Sequence, residues 1–141
     1  MILTGIYKQL LLSTAVTAQL AAPPAQSIFK NVAVKQAARP YLVLNRVAAP
    51  PAESTLDGIS ALIDGEIQFD AYADSQDAAN ALAHAVRDYL MNTFNAGALP
   101  DGTTIQFVDV PMDHDEPYEQ GGAGYIFRSL LRLKAFYTEA A

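Results

Sequence analysis

The densest cluster of potentially reactive side chains is the run Asp113-His114-Asp115-Glu116. Carboxylates and imidazole can bind divalent metals or transfer protons. These four residues are consecutive, however, and successive side chains of an extended chain point to opposite sides, so they cannot all converge on one ion. Their spacing matches neither a calcium loop nor a helical His pair. We therefore predict that Asp113, Asp115 and Glu116 lie in a polar loop that faces solvent or a partner, with no metal bound.

The other candidates for catalysis are weaker. His84 falls on the polar face of a predicted helix, and no Ser or carboxylate stands at a recognisable catalytic spacing from it. The glycine-rich run at residues 121–124 leads into a predicted strand, whereas a phosphate-binding loop leads into a helix. The absence of Cys excludes a thiolate metal site and a Cys nucleophile. We predict a protein that is not an enzyme, with no catalytic, cofactor-binding or metal-binding residues.

A basic stripe marks the last predicted strand. Arg128, Arg132 and Lys134 alternate with Leu130, and Ile126 and Phe136 continue the same face. Such a stripe could bind nucleic acid, but cross-strand pairing with Glu66 and Asp70 is the favoured interpretation. With nine basic against fifteen acidic residues and a net charge of −6, a dedicated DNA-binding protein is improbable. The mixed apolar and charged face suits contact with another subunit. The candidate interface therefore comprises Arg128, Leu130, Arg132, Lys134, Asp113, Asp115 and Glu116.

The chain has 141 residues, of which 51% are hydrophobic, and this is typical of one folded domain spanning residues 1–141. Apolar periodicity predicts a first helix, three strands, a second helix and a final strand pair. The second helix follows Asp74 or Ser75, either of which can cap it. The predicted elements are a helix at 2–21, strands at 28–34, 41–47 and 66–72, a helix at 77–91, and strands at 104–110 and 124–137, with turn residues at 95–102.

The beginning of the chain admits two interpretations. Lys8 and the apolar residues after it superficially resemble a secretory signal peptide. Polar residues interrupt the apolar run, which favours an amphipathic helix ended by Pro23-Pro24. The run is also far shorter than the roughly 20 residues of a membrane-spanning helix, so we expect no membrane association.

The order α-β-β-β-α-β-β predicts an α+β fold. Consecutive strands favour a mostly antiparallel sheet of four to five strands, with the two helices packed on one face. The predicted core comprises Leu82, Val86, Leu90, Phe69, Ile67, Phe107 and Leu131.

These features together resemble the tail-completion or tail-terminator proteins of siphophage-like tails, which join heads to tails. The resemblance spans nearly the whole chain in order and spacing. It rests on a Leu- and Ala-rich first helix, the short strand Ile28-Phe29-Lys30-Asn31-Val32, the strand Pro40-Tyr41-Leu42-Val43-Leu44, the strand Ile67-Gln68-Phe69-Asp70-Ala71-Tyr72, the Ala-rich helix, the Asp115-Glu116-Pro117-Tyr118 turn and the long last strand.

The resemblance implies a structural assembly protein of the virion, located at the head-proximal neck of the tail and assembled in the host cytoplasm. Its subunits would form a ring, usually a hexamer, that caps the tail tube, stops its polymerisation and receives the head. The implied partners are the tail tube protein, the head connector or neck protein and the tape-measure protein, with DNA passing through the lumen without specific binding. The alternatives are another neck component (a head-completion or tail tube subunit), a small hydrolase using Asp113, His114 and Asp115, or a secreted binding domain.

Overall fold

The fold is seen in a computed structural model, which describes residues 2–34, 37–48, 54–55, 58–59, 62–119 and 125–138. For residues 48, 54–55, 58–59, 109–119 and 125 it describes the backbone alone. In chain order the elements are α1 (Ile2–Leu10), α2 (Thr14–Thr17), β1 (Ile28–Lys30), β2 (Tyr41–Ala48), β3 (Ser54–Thr55), β4 (Gly58–Ile59), β5 (Ile63–Ala73), α3 (Gln76–Asp88), β6 (Ala96–Ala98), β7 (Thr104–Glu119) and β8 (Tyr125–Thr138).

One mixed sheet of six strands organises the described residues, in the order β1-β2-β5-β8-β7-β6. The α+β class is confirmed, but the prediction of four to five strands is wrong. β6 lies inside the predicted turn at 95–102 and adds an edge strand. β1 and β2 are parallel, because the chain between them returns to the end of the sheet where β1 began. β3 and β4 form a separate two-stranded sheet.

The predicted polar loop at 113–124 is also wrong over its first half, because β7 continues as a strand to Glu119. Asp113, Asp115 and Glu116 therefore belong to a strand that pairs with β8, after a register shift between Asp109 and Asp113. Two prolines of β7, Pro111 and Pro117, cannot donate a backbone hydrogen bond, which an edge strand tolerates. Residues 120–124 lie outside the described part of the chain.

The first helix is shorter than the predicted span of 2–21. α1 ends at Leu10, and the chain restarts as α2 after Ser13. The Ser13 hydroxyl accepts a hydrogen bond from the backbone N–H of Val16 at 3.2 Å, which caps the new helix. Serine competes with the helical backbone for hydrogen bonds and so favours a helix end over a helix interior.

α3 follows its predicted pattern closely. The Ser75 hydroxyl accepts a hydrogen bond from the backbone N–H of Ala78 at 3.1 Å and caps the N-terminus. Its apolar residues form one buried stripe, which comprises Ala79, Leu82, Ala83, Val86 and Leu90. The last turns, Tyr89–Phe94, widen into a π-helix.

The helices cover one face of the sheet. All seven predicted core residues are buried, and they share one cluster with residues of α1 such as Ile6 and Leu10. α1 contacts β1 and β2, whereas α3 contacts β5 and β8, so the helical layer spans the sheet. In the described part of the chain, no helix is both long and apolar enough to span a membrane.

Asp101 ties the loop after β6 to α1. Its carboxylate accepts hydrogen bonds from the backbone N–H and the hydroxyl of Thr103, both at 3.0 Å. A Cβ added at Gly5 would lie 2.5 Å from Asp101 Oδ1, so the helix backbone and the carboxylate are in close contact. Burial raises the pKa of Asp101, but the hydrogen bonds from Thr103 lead the interactions that lower it, and the net pKa lies below its ordinary value.

Candidate functional site

The face of the sheet opposite the helices carries the predicted basic stripe. On β8, from Ser129 to Tyr137, odd-numbered residues are buried and even-numbered residues are half-buried. Arg128, Leu130, Arg132 and Lys134 therefore share one face, as predicted, and Phe136 continues it. We call this surface the outer face, and it also includes Asp64, Glu66, Gln68, Asp70 and Tyr72 of β5 by strand register.

Ion pairs cross the outer face from β8 to β5, which confirms the predicted pairing with Glu66 and Asp70. Arg128 Nη2 lies 3.0 Å from Asp70 Oδ1, and Arg132 Nη1 lies 3.8 Å from Glu66 Oε2. Lys134 Nζ adds a third pair, 3.4 Å from a carboxylate oxygen of Asp64. Each pair is diagonal across the two strands. The residues directly opposite Arg128, Arg132 and Lys134 are Tyr72, Gln68 and Glu66. The stripe is thus largely neutralised within the subunit.

The burial of Asp70 is the feature of this face that the sequence did not predict. It is only 4% exposed, although it sits on the otherwise accessible side of the sheet. Its carboxylate accepts from Arg128 and from Gln68 Nε2, the latter at 3.1 Å to both oxygens. Gln68 in turn accepts from Arg132 Nε at 3.3 Å. A continuous polar chain therefore holds both arginines in place, and a buried charge of this kind must be paired.

An aromatic cluster occupies the end of the outer face nearest β1. Phe29 meets Tyr41 edge to face at a centroid distance of 5.7 Å, and Tyr41 stacks on Tyr72 at 5.0 Å. A hollow of about 270 Å³ lies beside it, lined in part by Val32 and Asp70. Alternation in β5 places Tyr72 on the same side as Asp70, a signal that the sequence contains.

The acidic run at residues 113–116 is extended, and this is the conformation in which successive side chains point to opposite sides. Asp113 and Asp115 stand opposite Leu131 and Ser129 in register, whereas Glu116 stands opposite Arg128. The run thus alternates between the two sides of the sheet at the level of the backbone. Among residues whose side chains the structure describes, no group of three metal-binding side chains occurs.

A groove of about 680 Å³ between α2 and α3 contains the other histidine. Ser13, His84 and Asp88 are among its lining residues, a combination of residue types that a hydrolase could use. Ser13 is 5% exposed, and its hydroxyl is already engaged as the cap of α2. Ser13 is therefore not an accessible nucleophile of the kind such catalysis requires.

Comparisons with known proteins identify a family and a solved structure that this chain resembles. The family model described as "Tail completion protein gp17" matches residues 4–135. No curated protein matches. Among solved structures, a chain from "Virion of native gene transfer agent (GTA) particle" is similar, with 16% sequence identity and a TM-score of 0.53. The alignment covers 94% of this chain and 91% of that one, and at this identity it supports the fold alone.

Proposed function

Because this chain belongs to the tail completion protein gp17 family of bacteriophage tail proteins, we propose that it forms a ring at the head-proximal end of the tail tube. The ring, of six subunits, ends polymerisation of the tail tube protein and offers the head connector a surface. A structural role in the virion tail follows from the family itself. A role in capping the tail tube is more specific than a structural role in the tail, and the family match over residues 4–135 is the observation that supports it.

The outer face provides a second line of support. It is a wide sheet surface that no described helix covers, and it combines half-buried apolar residues with paired charges. Interfaces between subunits have this mixed composition. Arg128, Leu130, Arg132 and Lys134 are the proposed contacts on this face, and Asp113, Asp115 and Glu116 are proposed contacts on the neighbouring strand.

The lumen follows from the same proposal. DNA passes through the ring and must not be retained, and a subunit of net charge −6 makes few contacts to phosphate. The tape-measure protein is a further proposed neighbour, because it occupies the tube that the ring closes. The similar chain belongs to a virion particle, which is consistent with a role inside an assembly.

Deletion of the gene from its phage tests the proposal. We expect tails of uncontrolled length, or finished heads and tails that fail to join, when the lysate is viewed by electron microscopy. Complementation with the wild-type chain should restore infectious particles. Normal, infectious particles in the absence of this protein would contradict the proposal. A head-completion role would be indicated instead by normal tails beside heads that leak DNA.

A matched pair of variants distinguishes an effect at the outer face from a general effect of charge reversal on the subunit. Arg132→Glu changes the outer face, whereas Lys8→Glu makes the same change of charge on an exposed residue of α1. We expect Arg132→Glu to complement the deletion poorly and Lys8→Glu to complement it well, with both proteins folded by circular dichroism. Equal complementation would remove the outer face from the proposed contact surface.

A further inference from the structure

The chain between α3 and β7 adopts two uncommon backbone conformations in succession. Tyr89–Phe94 is a π-helix, a form that is rare in proteins and is often found at functional sites. Asn95 follows it with φ 55° and ψ −63°. The negative ψ takes Asn95 out of the left-handed helical region that Asn tolerates and close to a γ-turn that is strained. We call residues 89–98, which include β6, the β6 corner.

Contacts with β7 hold the β6 corner in this form. The backbone N–H of Asn95 donates to the carbonyl of Leu90 at 2.9 Å, and the carbonyl of Asn95 accepts from the N–H of Phe107 at 3.0 Å. The ring of Phe94 also meets that of Phe107 edge to face, at a centroid distance of 6.2 Å. Leu90 itself is buried in the core. A strained backbone persists only where the surrounding structure fixes it, and here the first strand pair does so.

A second destabilising feature lies close to β6 in strand register. Gly97 of β6 stands opposite Ile105, and Ile105 stands opposite Tyr137 of β8. Tyr137 is fully buried, and its hydroxyl has no hydrogen-bond partner among the residues that the structure describes. A buried hydroxyl of this kind destabilises a fold, because its hydrogen bonds to water are lost without replacement. Two independent costs therefore occur in one part of the subunit.

The β6 corner also borders the outer face. A hollow of about 500 Å³ is lined by Ala96 and Gly97 of β6 together with Leu62 and Phe136. Leu62 is 40% exposed, so this end of the outer face presents a large apolar side chain to solvent. A neighbour that covers the outer face here touches β6 directly, and a contact can shift the conformation of the element that it touches.

We propose that the β6 corner is a conformational switch, strained in the free subunit and relaxed when a second copy of this chain covers the outer face. In the relaxed form the π-helix becomes an α-helix, in which the N–H of Phe94 donates to the carbonyl of Leu90. The N–H of Asn95 then donates to the carbonyl of Met91, and Asn95 takes a negative φ. β6 begins at the next residue and moves relative to β7. The inference deepens the proposed function and rests on it for the identity of the neighbour.

Such a switch couples assembly to the state of the subunit. Strain that is present in the free subunit and absent from the assembled one adds to the free energy of association, since association is measured from the strained state. Relieving the strain in the free subunit should therefore weaken assembly, although it stabilises the fold. An ordinary contact residue does not show these opposite effects.

Two substitutions at Asn95 test this coupling. Asn95→Gly and Asn95→Ala both remove the same exposed side chain, but only glycine adopts a positive φ without strain. We expect Asn95→Gly to raise the melting temperature of the free subunit by roughly 2–5 °C. We expect the same variant to weaken self-association in sedimentation by roughly fivefold to tenfold. Asn95→Ala disfavours the positive φ and favours the α-helix, so we expect a lower melting temperature and stronger self-association.

The opposite signs are the decisive result, because loss of a side-chain contact changes association in the same direction in both variants. Equal changes in association, no change in either variant, or a wild-type chain that stays monomeric at all concentrations overturns the proposal. Asn31→Gly and Asn31→Ala form the matched control, since Asn31 also has a positive φ, 72°. We expect the control pair to differ in melting temperature and to associate equally. Opposite effects on association in the control pair would overturn the proposal as well.

Tyr137→Phe tests the buried hydroxyl. The change removes the hydroxyl and keeps the ring, so we expect the melting temperature of the free subunit to rise by roughly 2–4 °C. A lower melting temperature would contradict the assignment of a destabilising group to this part of the free subunit.

The assembled particle provides a readout that does not depend on association constants. We expect electron cryomicroscopy of purified tails to show a negative φ at Asn95 and an α-helical last turn of α3. A π-helix and a positive φ in assembled subunits would overturn the switch and leave the proposed function intact. Opposite effects of the two Asn95 variants, together with a phage that needs no such protein, would retain the switch and reject the tail-capping role.

Discussion

Asp70→Asn removes the one negative charge that is buried on the outer face while leaving the shape of the side chain. Asp70 is 4% exposed, and the Arg128 side chain beside it is 24% exposed. In the variant the guanidinium keeps a polar neighbour at this position but loses the charge of Asp70 beside it. Breaking a fully buried pair costs about 3–5 kcal/mol, because the remaining charge stays desolvated. Since water reaches a quarter of Arg128, we expect a smaller loss, about 2 kcal/mol.

The assay is urea unfolding followed by circular dichroism at neutral pH. A loss of about 2 kcal/mol in a domain of this size lowers the melting temperature by roughly 6–10 °C. Arg128→Met and the double variant complete a mutant cycle that isolates the pair. We expect the double variant to be less destabilised than the two single losses together, because it leaves no unpaired charge. Additivity within about 0.5 kcal/mol would refute the argument that the two residues form one buried unit.

Arg128 and Arg132 look equivalent in the sequence, but only Arg128 forms an ion pair with the buried Asp70. Both residues lie in the candidate interface, and charge reversal at either tests assembly only if the fold stays intact. Arg128→Glu would place a second carboxylate beside buried Asp70, and we expect it to destabilise the subunit. Arg132 is 30% exposed, and its carboxylate partner is 3.8 Å away, so Arg132→Glu should leave the isolated fold nearly unchanged. Assembly is therefore tested at Arg132.

Three further changes test the packing around the helices. Gly5→Ala should cost about 1–3 kcal/mol of stability by thermal melting, because the new methyl group meets the Asp101 carboxylate. In an Asp101→Ala background the same change should instead be stabilising, because Ala favours the helix over Gly by about 0.5–1 kcal/mol. Asp101→Asn should be less stable than the wild type above about pH 5, because the fold lowers the pKa of Asp101 and so favours its charged form. That difference in stability should vanish as the pH falls through the pKa of Asp101 in the folded protein. A constant difference down to about pH 2 would argue against a stabilising role of the Asp101 carboxylate. Leu90→Ala should cost about 2–5 kcal/mol, and an unchanged melting temperature would show that the stripe of α3 is not buried as described.

The parts of the fold with a regular apolar period could be predicted from the sequence. β5 alternates strictly, and α3 repeats its apolar residues at helical spacing after a capping Ser75. Each of these patterns is local, so it can be recognised without knowing what packs against it. The basic stripe on β8 was recognisable for the same reason, and so was its pairing with carboxylates of β5.

The errors arise where a neighbouring element decides the structure. Asp113 to Glu119 is acidic and contains proline, a composition typical of loops, yet it extends along β8 because that strand is long enough to pair with it. β6 is only three residues long and exists through its pairing with β7. Asp70 follows the alternation of an exposed face but is buried by its contacts with Gln68 and Arg128. The extended form of β7, the existence of β6 and the burial of Asp70 all depend on neighbouring strands, so the composition of each segment alone does not predict them.

The topology also explains why the outer face carries little unsatisfied charge. Arg128, Arg132 and Lys134 lie in the centre of the sheet beside carboxylates of β5, so their charges are largely satisfied within the subunit. Charges satisfied within a subunit contribute little to attraction between subunits. We therefore expect the outer face to contribute contact area, more than electrostatic attraction, once the neighbours are in place.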